Sequence, residues 1–230
     1  MTKAQKVHQI LQRYQAAFYC PVPLDKDQKR LLPFAMDTAE QAGIDTLDSE
    51  ALQTYITTQI TENQAWAAFG GYGERRRMYE RSPLFRQPDG TYRSIHLGID
   101  IWMPPGTEIY SPWEAEVHSF SFRPALGDYG GVIILEHRIE GVDFYTLYGH
   151  LSKNSLASLR PYKGFKRSEA IGRLGDMSEN GGWTPHLHLQ IMVSLDGLEG
   201  DYPGVVAADQ AEAYLQNCPN PLYLLNQNLA

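Results

Sequence analysis

The sequence predicts an α+β protein in which an α-helical N-terminal region precedes an antiparallel β domain of sandwich or barrel-like form. Three observations predict it. Apolar residues recur at helical spacing in the first third, short β-rich runs take over after about residue 92, and glycines punctuate those runs. We expect a helical region over residues 1–75 and a β-rich domain over residues 76–230 that ends in a short helix.

Val7, Ile10, Leu11, Tyr14, Ala17 and Phe18 form one apolar stripe, and Pro21 and Pro23 end the helix that carries it. Leu31, Leu32, Phe34 and Met36 suggest a short helix broken by Pro33. Asp48 is placed to cap a further helix running through Leu52, Tyr55, Ile56 and Ile60, with Leu47 and Leu52 as its staple. Residues 70–90 change character: Gly70, Gly71 and Gly73 lead into Arg75, Arg76, Arg77, Arg81 and Arg86. This reads as a connecting segment with a solvated, charge-paired basic cluster; the sharper reading is a grip on substrate carboxylates or a brace between the two parts. Strand-like runs follow at residues 108–110, 115–122, 132–139, 144–148 and 186–193, before a helix at about 207–216 stopped by Pro219 and Pro221.

Composition narrows the function classes. Twenty basic against 27 acidic side chains leave a net charge of −7, which argues against nucleic acid as a partner. No apolar run approaches the roughly 18 residues of a membrane span. Gln9, Gln12 and Arg13 interrupt any signal-peptide core, so a cytoplasmic location is expected. Cys20 and Cys218 are too few for a disulfide framework or a Cys-only zinc site, and both are read as reduced. A metal must then be held by carboxylates and by some of the seven histidines.

Four histidines fall into three short motifs in the β-rich part: His96-Leu97-Gly98-Ile99-Asp100, Tyr148-Gly149-His150-Leu151 and His186-Leu187-His188. On a strand, residues two apart share a face, so His186 and His188 project two imidazoles together with backbones ~7 Å apart. A straight strand would hold His96 and Asp100 ~13 Å apart, so the chain must bend there, and Gly98 permits it. Zinc accepts imidazole and carboxylate, and catalytic sites keep three protein ligands and an open position. His96, Asp100 and one of His186 or His188 supply such a set. The remaining histidine of the pair and His150 are then free for proton transfer and oxyanion stabilisation. His8, His118 and His137 have no spaced partner and read as structural or solvated. Trp102, Trp113, Tyr110 and Tyr129 read as sheet packing, with a groove lining as the sharper alternative.

From His96 to Val193 the sequence resembles the M23 metallopeptidases, the lysostaphin or LytM-type endopeptidases that cut peptide cross-links of bacterial cell walls. The resemblance rests on HLGIDIWMPPGTEIYSP, YTLYGHLS and TPHLHLQI. It implies one zinc ion per chain held by His96, Asp100 and His188, with His150 and His186 catalytic, and a peptide or peptidoglycan substrate. It also implies a site of action in the cell envelope, against the missing export signal. Thr184-Pro185 and Leu189 stand where the family usually has Gly-Pro and Phe, and no ligand position is lost. The resemblance does not reach residues 1–75, which are candidates to cover the cleft or bind a protein partner.

Two other classes compete with a zinc-dependent endopeptidase. A non-catalytic zinc-binding module of the same fold would bind the metal and cleave nothing. A phosphohistidine carrier of related β architecture would use two facing imidazoles and take up no stoichiometric zinc. The absence of a GxSxG elbow or a reactive-cysteine context leaves water as the nucleophile.

Overall fold

The computed structural model describes residues 1–23 and 31–225. In chain order its elements are α1 (Lys3–Tyr14), β1 (Leu31–Pro33), α2 (Met36–Gln41), α3 (Ser49–Glu62), β2 (Ala67–Gly70), β3 (Ile95–His96), β4 (Ile99–Trp102) and β5 (Glu108–Tyr110). There follow β6 (Ala115–Arg123), β7 (Gly130–Ile139), β8 (Val142–Leu151), β9 (Gly164–Phe165), β10 (Ala170–Arg173), β11 (His186–Met192), β12 (Val205–Val206) and α4 (Ala211–Asn217). Eight strands form one open sheet in the order β1-β2-β4-β11-β8-β7-β6-β9. Its pairings are antiparallel except that of β1 with β2, and no closed barrel forms among the described residues. Two antiparallel ribbons, β5 with β10 and β3 with β12, flank it.

Strand alternation decides which face of this sheet does what. Leu187, Leu189 and Ile191 of β11 and Ile99 and Ile101 of β4 point into the main core, beside Ala67 and Phe69 of β2. The alternate residues of the same strands, His186, His188, Gln190, Asp100 and Trp102, therefore share the opposite face. Register brings them level, because Asp100 pairs with both Gly70 and His188, and His188 pairs in turn with Gly149. One row across four strands thus places residues 70, 100, 188 and 149 side by side, with neighbouring strands ~4.8 Å apart.

Helices seal both faces. Thr2 and Gln5 form a capping box on α1, whose Val7, Ile10 and Leu11 bury against the core face. Each such side chain is worth ~1.5–3 kcal/mol of burial. On the other face, α3 is capped by Asp48, which accepts from the backbone N–H groups of Glu50 and Ala51, as expected. Its Leu52 and Ile56 join Met36 of α2 in a second cluster with Trp102 and Trp183, beside the histidine-bearing strands.

The expected short helix around Pro33 is instead strand β1 followed by α2. Leu31 to Pro33 pairs in parallel with Ala67 to Phe69 at the sheet edge, where a proline's missing N–H costs little. The bend foreseen at Gly98 is real: β3 ends at His96 and β4 starts at Ile99. No helix among the described residues is long and apolar enough to cross a membrane.

Candidate active site

The five residues picked out in the sequence converge on the polar face of the sheet. All are buried, and all line one cleft of about 700 Å³, its open mouth included. His96 Nε2 lies 2.9 Å from His188 Nδ1, and each of these nitrogens lies 3.3 Å from Asp100 Oδ1. His186 Nε2 is 3.5 Å from the same oxygen, and the rings of His150 and His186 sit 4.3 Å apart, centroid to centroid.

The outer hydrogen bonds fix which ring nitrogens remain available. His96 donates its Nδ1–H to the carbonyl of Gly71 at 2.9 Å, and His188 donates its Nε2–H to Gln190 Oε1 at 3.0 Å. The neutral rings therefore turn lone pairs, not protons, toward Asp100. His150 and His186 likewise commit Nδ1–H to the carbonyls of Asn180 (2.9 Å) and Thr184 (2.6 Å), which leaves Nε2 of each for chemistry. Asp100 keeps Oδ1 in the cluster while Oδ2 accepts from Arg76 Nη1.

Electrostatics agree with this picture. Burial, then the neighbouring Arg76 cation, lowers His96 from 6.5 to about 4. Burial, reinforced by His186 and His188, holds His150 well below 6.5, and burial lowers His186. For Asp100 burial pushes upward, but His96, His186 and Arg76 outweigh it and keep the carboxyl well below 3.8. Asp100 is thus a carboxylate, and burial favours the neutral form of His96, His150 and His186.

Such a set fits a small divalent cation. Bonds of about 2.0–2.2 Å in tetrahedral arrangement require donors roughly 3.3–3.6 Å apart, and the three edges of the His96, Asp100 and His188 triangle measure 2.9, 3.3 and 3.3 Å. Three electron-pair donors with no proton between them repel one another unless a cation joins them.

Local geometry explains how the chain gets there. Gly98 lets the His188 ring lie against the backbone, because a Cβ there would fall 2.8 Å from His188 Cε1 and 2.6 Å from the Leu189 carbonyl oxygen. His150 adopts φ +64°, a left-handed conformation rare outside glycine and of the kind that clusters at functional sites.

Residues 94–200 match the profile of peptidase family M23. Among solved structures, the chain is similar to a zinc-containing peptidase from Vibrio cholerae, with 27% identity over 48% of this chain and 31% of that one and a TM-score of 0.35. The chain therefore spans about a third of that protein. It is also similar to the catalytic domain of the antimicrobial peptidase lysostaphin from Staphylococcus simulans, with 21% identity over 68% and 90% of the two chains and a TM-score of 0.44. A third similar structure is LytU, at 21% identity over 59% and 73% with a TM-score of 0.38. No curated protein matches the sequence.

Several residues of the site went unrecognised in the sequence. Arg76, grouped with solvated arginines, is 2% exposed and bound to Asp100, because the chain after β2 folds back over the polar face. The partners that orient the imidazoles are backbone carbonyls and the Gln190 side-chain amide. Gln190 was legible, two residues beyond His188 on the same strand face; the carbonyls carry no sequence signal. Of the aromatic candidates, Tyr129 lines the cleft, joined there by Tyr79, Phe85 and Trp183. Trp113 packs instead against Tyr14 and Phe18.

Proposed function

We propose that this protein is a zinc-dependent endopeptidase that hydrolyses peptide bonds, with peptidoglycan cross-links or related wall peptides as its substrate class. The observation that carries the reading is the triangle of His96 Nε2, Asp100 Oδ1 and His188 Nδ1, whose two edges to Asp100, 3.3 Å each, match the spacing of a tetrahedral zinc site and whose third, 2.9 Å, is slightly shorter. The match of residues 94–200 to the profile of a peptidase family supports the reaction class.

In this reading those three atoms hold the ion. Zinc supplies Lewis acidity toward the scissile carbonyl and makes water acidic enough to serve as the nucleophile near neutral pH. His150 and His186 do the proton work. Each ring is held by a carbonyl at Nδ1, so each presents an unprotonated Nε2 to the cleft. One Nε2 takes the proton of the attacking water, and that new Nε2–H then donates to the tetrahedral oxyanion before the proton leaves with the amine; the neighbouring ring is placed to share the transfer. The fixed Nδ1 bonds keep both rings in the reactive tautomer. Burial, which lowers both histidines, keeps them neutral and ready to accept at pH 7.

The test is metal analysis of the purified chain together with incubation on purified wall peptides and mass spectrometry of the products. One zinc per chain and cleaved cross-links are expected. Stoichiometric zinc without cleavage of any peptide in a broad panel would replace this reading with a non-catalytic binding module. Absence of stoichiometric zinc uptake would overturn the metal centre itself.

A further inference from the structure

Residues 71–76 lie upstream of the stretch that matches the family profile, yet they contact two of the three donor residues. The Gly71 carbonyl accepts His96 Nδ1–H and so turns the lone pair of Nε2 toward Asp100. Arg76 Nη1 donates to Asp100 Oδ2, which leaves Oδ1 alone in the donor triangle. Behind it, Arg76 Nε donates to Glu74 Oε2 at 2.6 Å, and Glu74 Oε1 accepts the backbone N–H of Met36, the first residue of α2, at 2.6 Å. A continuous strap thus runs from α2 through Glu74 and Arg76 to Asp100.

Two features show that the strap is fitted to this place. Gly71 has φ +96°, and a Cβ there would overlap Arg76 Nη2 and fall 2.7 Å from its Cζ and 3.1 Å from His96 Nδ1. Only glycine lets the guanidinium and the imidazole share that space. Charge is balanced as well: Glu74, Arg76 and Asp100 sum to −1 + 1 − 1 = −1, the charge of Asp100 by itself. A lone buried guanidinium beside a ligand would repel a cation, and Glu74 cancels it.

We infer that the 71–76 segment is the outer support of the metal centre, with Gly71 and Arg76 as positioning residues that set the His96 tautomer and restrict Asp100 to a single coordinating oxygen. The inference rests on the zinc reading above. It goes beyond that reading by assigning part of the site to a segment outside the matched family stretch. A carboxylate tied at Oδ2 binds through one oxygen and favours four-coordination; a released carboxylate is free to bind through both.

The full-length chain and its Arg76→Lys and Arg76→Met variants are to be compared for zinc affinity, by competition with a chromophoric chelator, and for the visible spectrum of the cobalt(II)-loaded form. Lysine keeps the charge and loses the fork, and methionine loses both. If Arg76 acted only through its charge, Arg76→Met would bind zinc more tightly and Arg76→Lys would be unchanged. Positioning predicts the opposite: about tenfold or greater loss of affinity in both, with a weaker cobalt band as the coordination number rises. Circular dichroism checks folding. If neither variant folds, Glu74→Gln, which keeps the shape of the strap, should lower zinc affinity severalfold. Unchanged zinc affinity and an unchanged cobalt spectrum in a folded variant overturn the inference while the wild-type zinc site stands. A wild-type chain that takes up no zinc overturns both.

Discussion

Two groups of buried imidazoles in this molecule look alike by composition and differ in what their nitrogens have left to do. On the core side of β7, His137 gives Nδ1–H to the Glu114 carbonyl at 3.1 Å, and its Nε2 meets the Thr146 hydroxyl at 2.8 Å. Thr146 in turn lies 3.0 Å from the Tyr148 hydroxyl, and the ring stacks on Phe144. Both nitrogens are spent. On the other face, His96, His150, His186 and His188 each commit one nitrogen to a carbonyl or amide and keep the other for the cleft. Burial depresses His137 to about 4, as it does His96, so a depressed pKa does not separate the two groups. The unspent lone pair does.

The most damaging change to this contrast is His188→Ala, which removes one corner of the donor triangle. Bound zinc and hydrolysis are expected to disappear together, measured by metal analysis and peptide cleavage on the same sample. Next comes His150→Ala, which should keep most of the zinc and lower kcat by about 10²–10⁴-fold. If it loses zinc as completely as His188→Ala, the division between metal-holding and proton-moving histidines is wrong. His137→Leu belongs to the other group and should leave zinc content and turnover per folded molecule unchanged. Taking the His137 partner from the Glu114 carbonyl and from the Thr146 hydroxyl, which keeps Tyr148, should cost about 1–3 kcal/mol of stability, read by denaturant unfolding.

A further effect lies in the acid dependence of that stability. Unfolded His137 takes a proton near its ordinary 6.5, whereas the folded residue resists until about 4. Its folded pKa is depressed, so the unfolded state binds the proton first and stability is lost as pH falls from about 6.5 toward 4. At 1.36 kcal/mol per pH unit over about 2.5 units the loss is bounded at roughly 3–4 kcal/mol. His137→Leu should therefore lose less stability than the wild type between pH 7 and pH 4.5. Parallel curves would show that His137 is not held neutral in the fold.

The site was more legible in the sequence than its surroundings, for identifiable reasons. The His186 and His188 pair follows from strand periodicity, and the turn that lets His96 meet Asp100 follows from Gly98. The Asp48 cap was visible for the same reason, since it depends on residues adjacent in sequence. Leu31–Pro33 was misread because a three-residue strand at a sheet edge owes its existence to Ala67–Phe69, more than thirty residues away. Arg76 was misread because its burial is decided by Asp100 and Glu74, and no periodicity within residues 70–90 encodes that encounter.

The row that joins residues 70, 100, 188 and 149 also constrains the order in which the molecule becomes competent. Strand β11 sits between β4 and β8 yet is the last of the three to be synthesised. A nascent chain that has emerged only as far as residue 180 carries His96 and Asp100 but no third donor, and the middle of its sheet is missing. Insertion of that final strand closes long-range pairings on both sides at once, a slow kind of step. The three-donor triangle is thereby withheld until the strand that completes the sheet is in place.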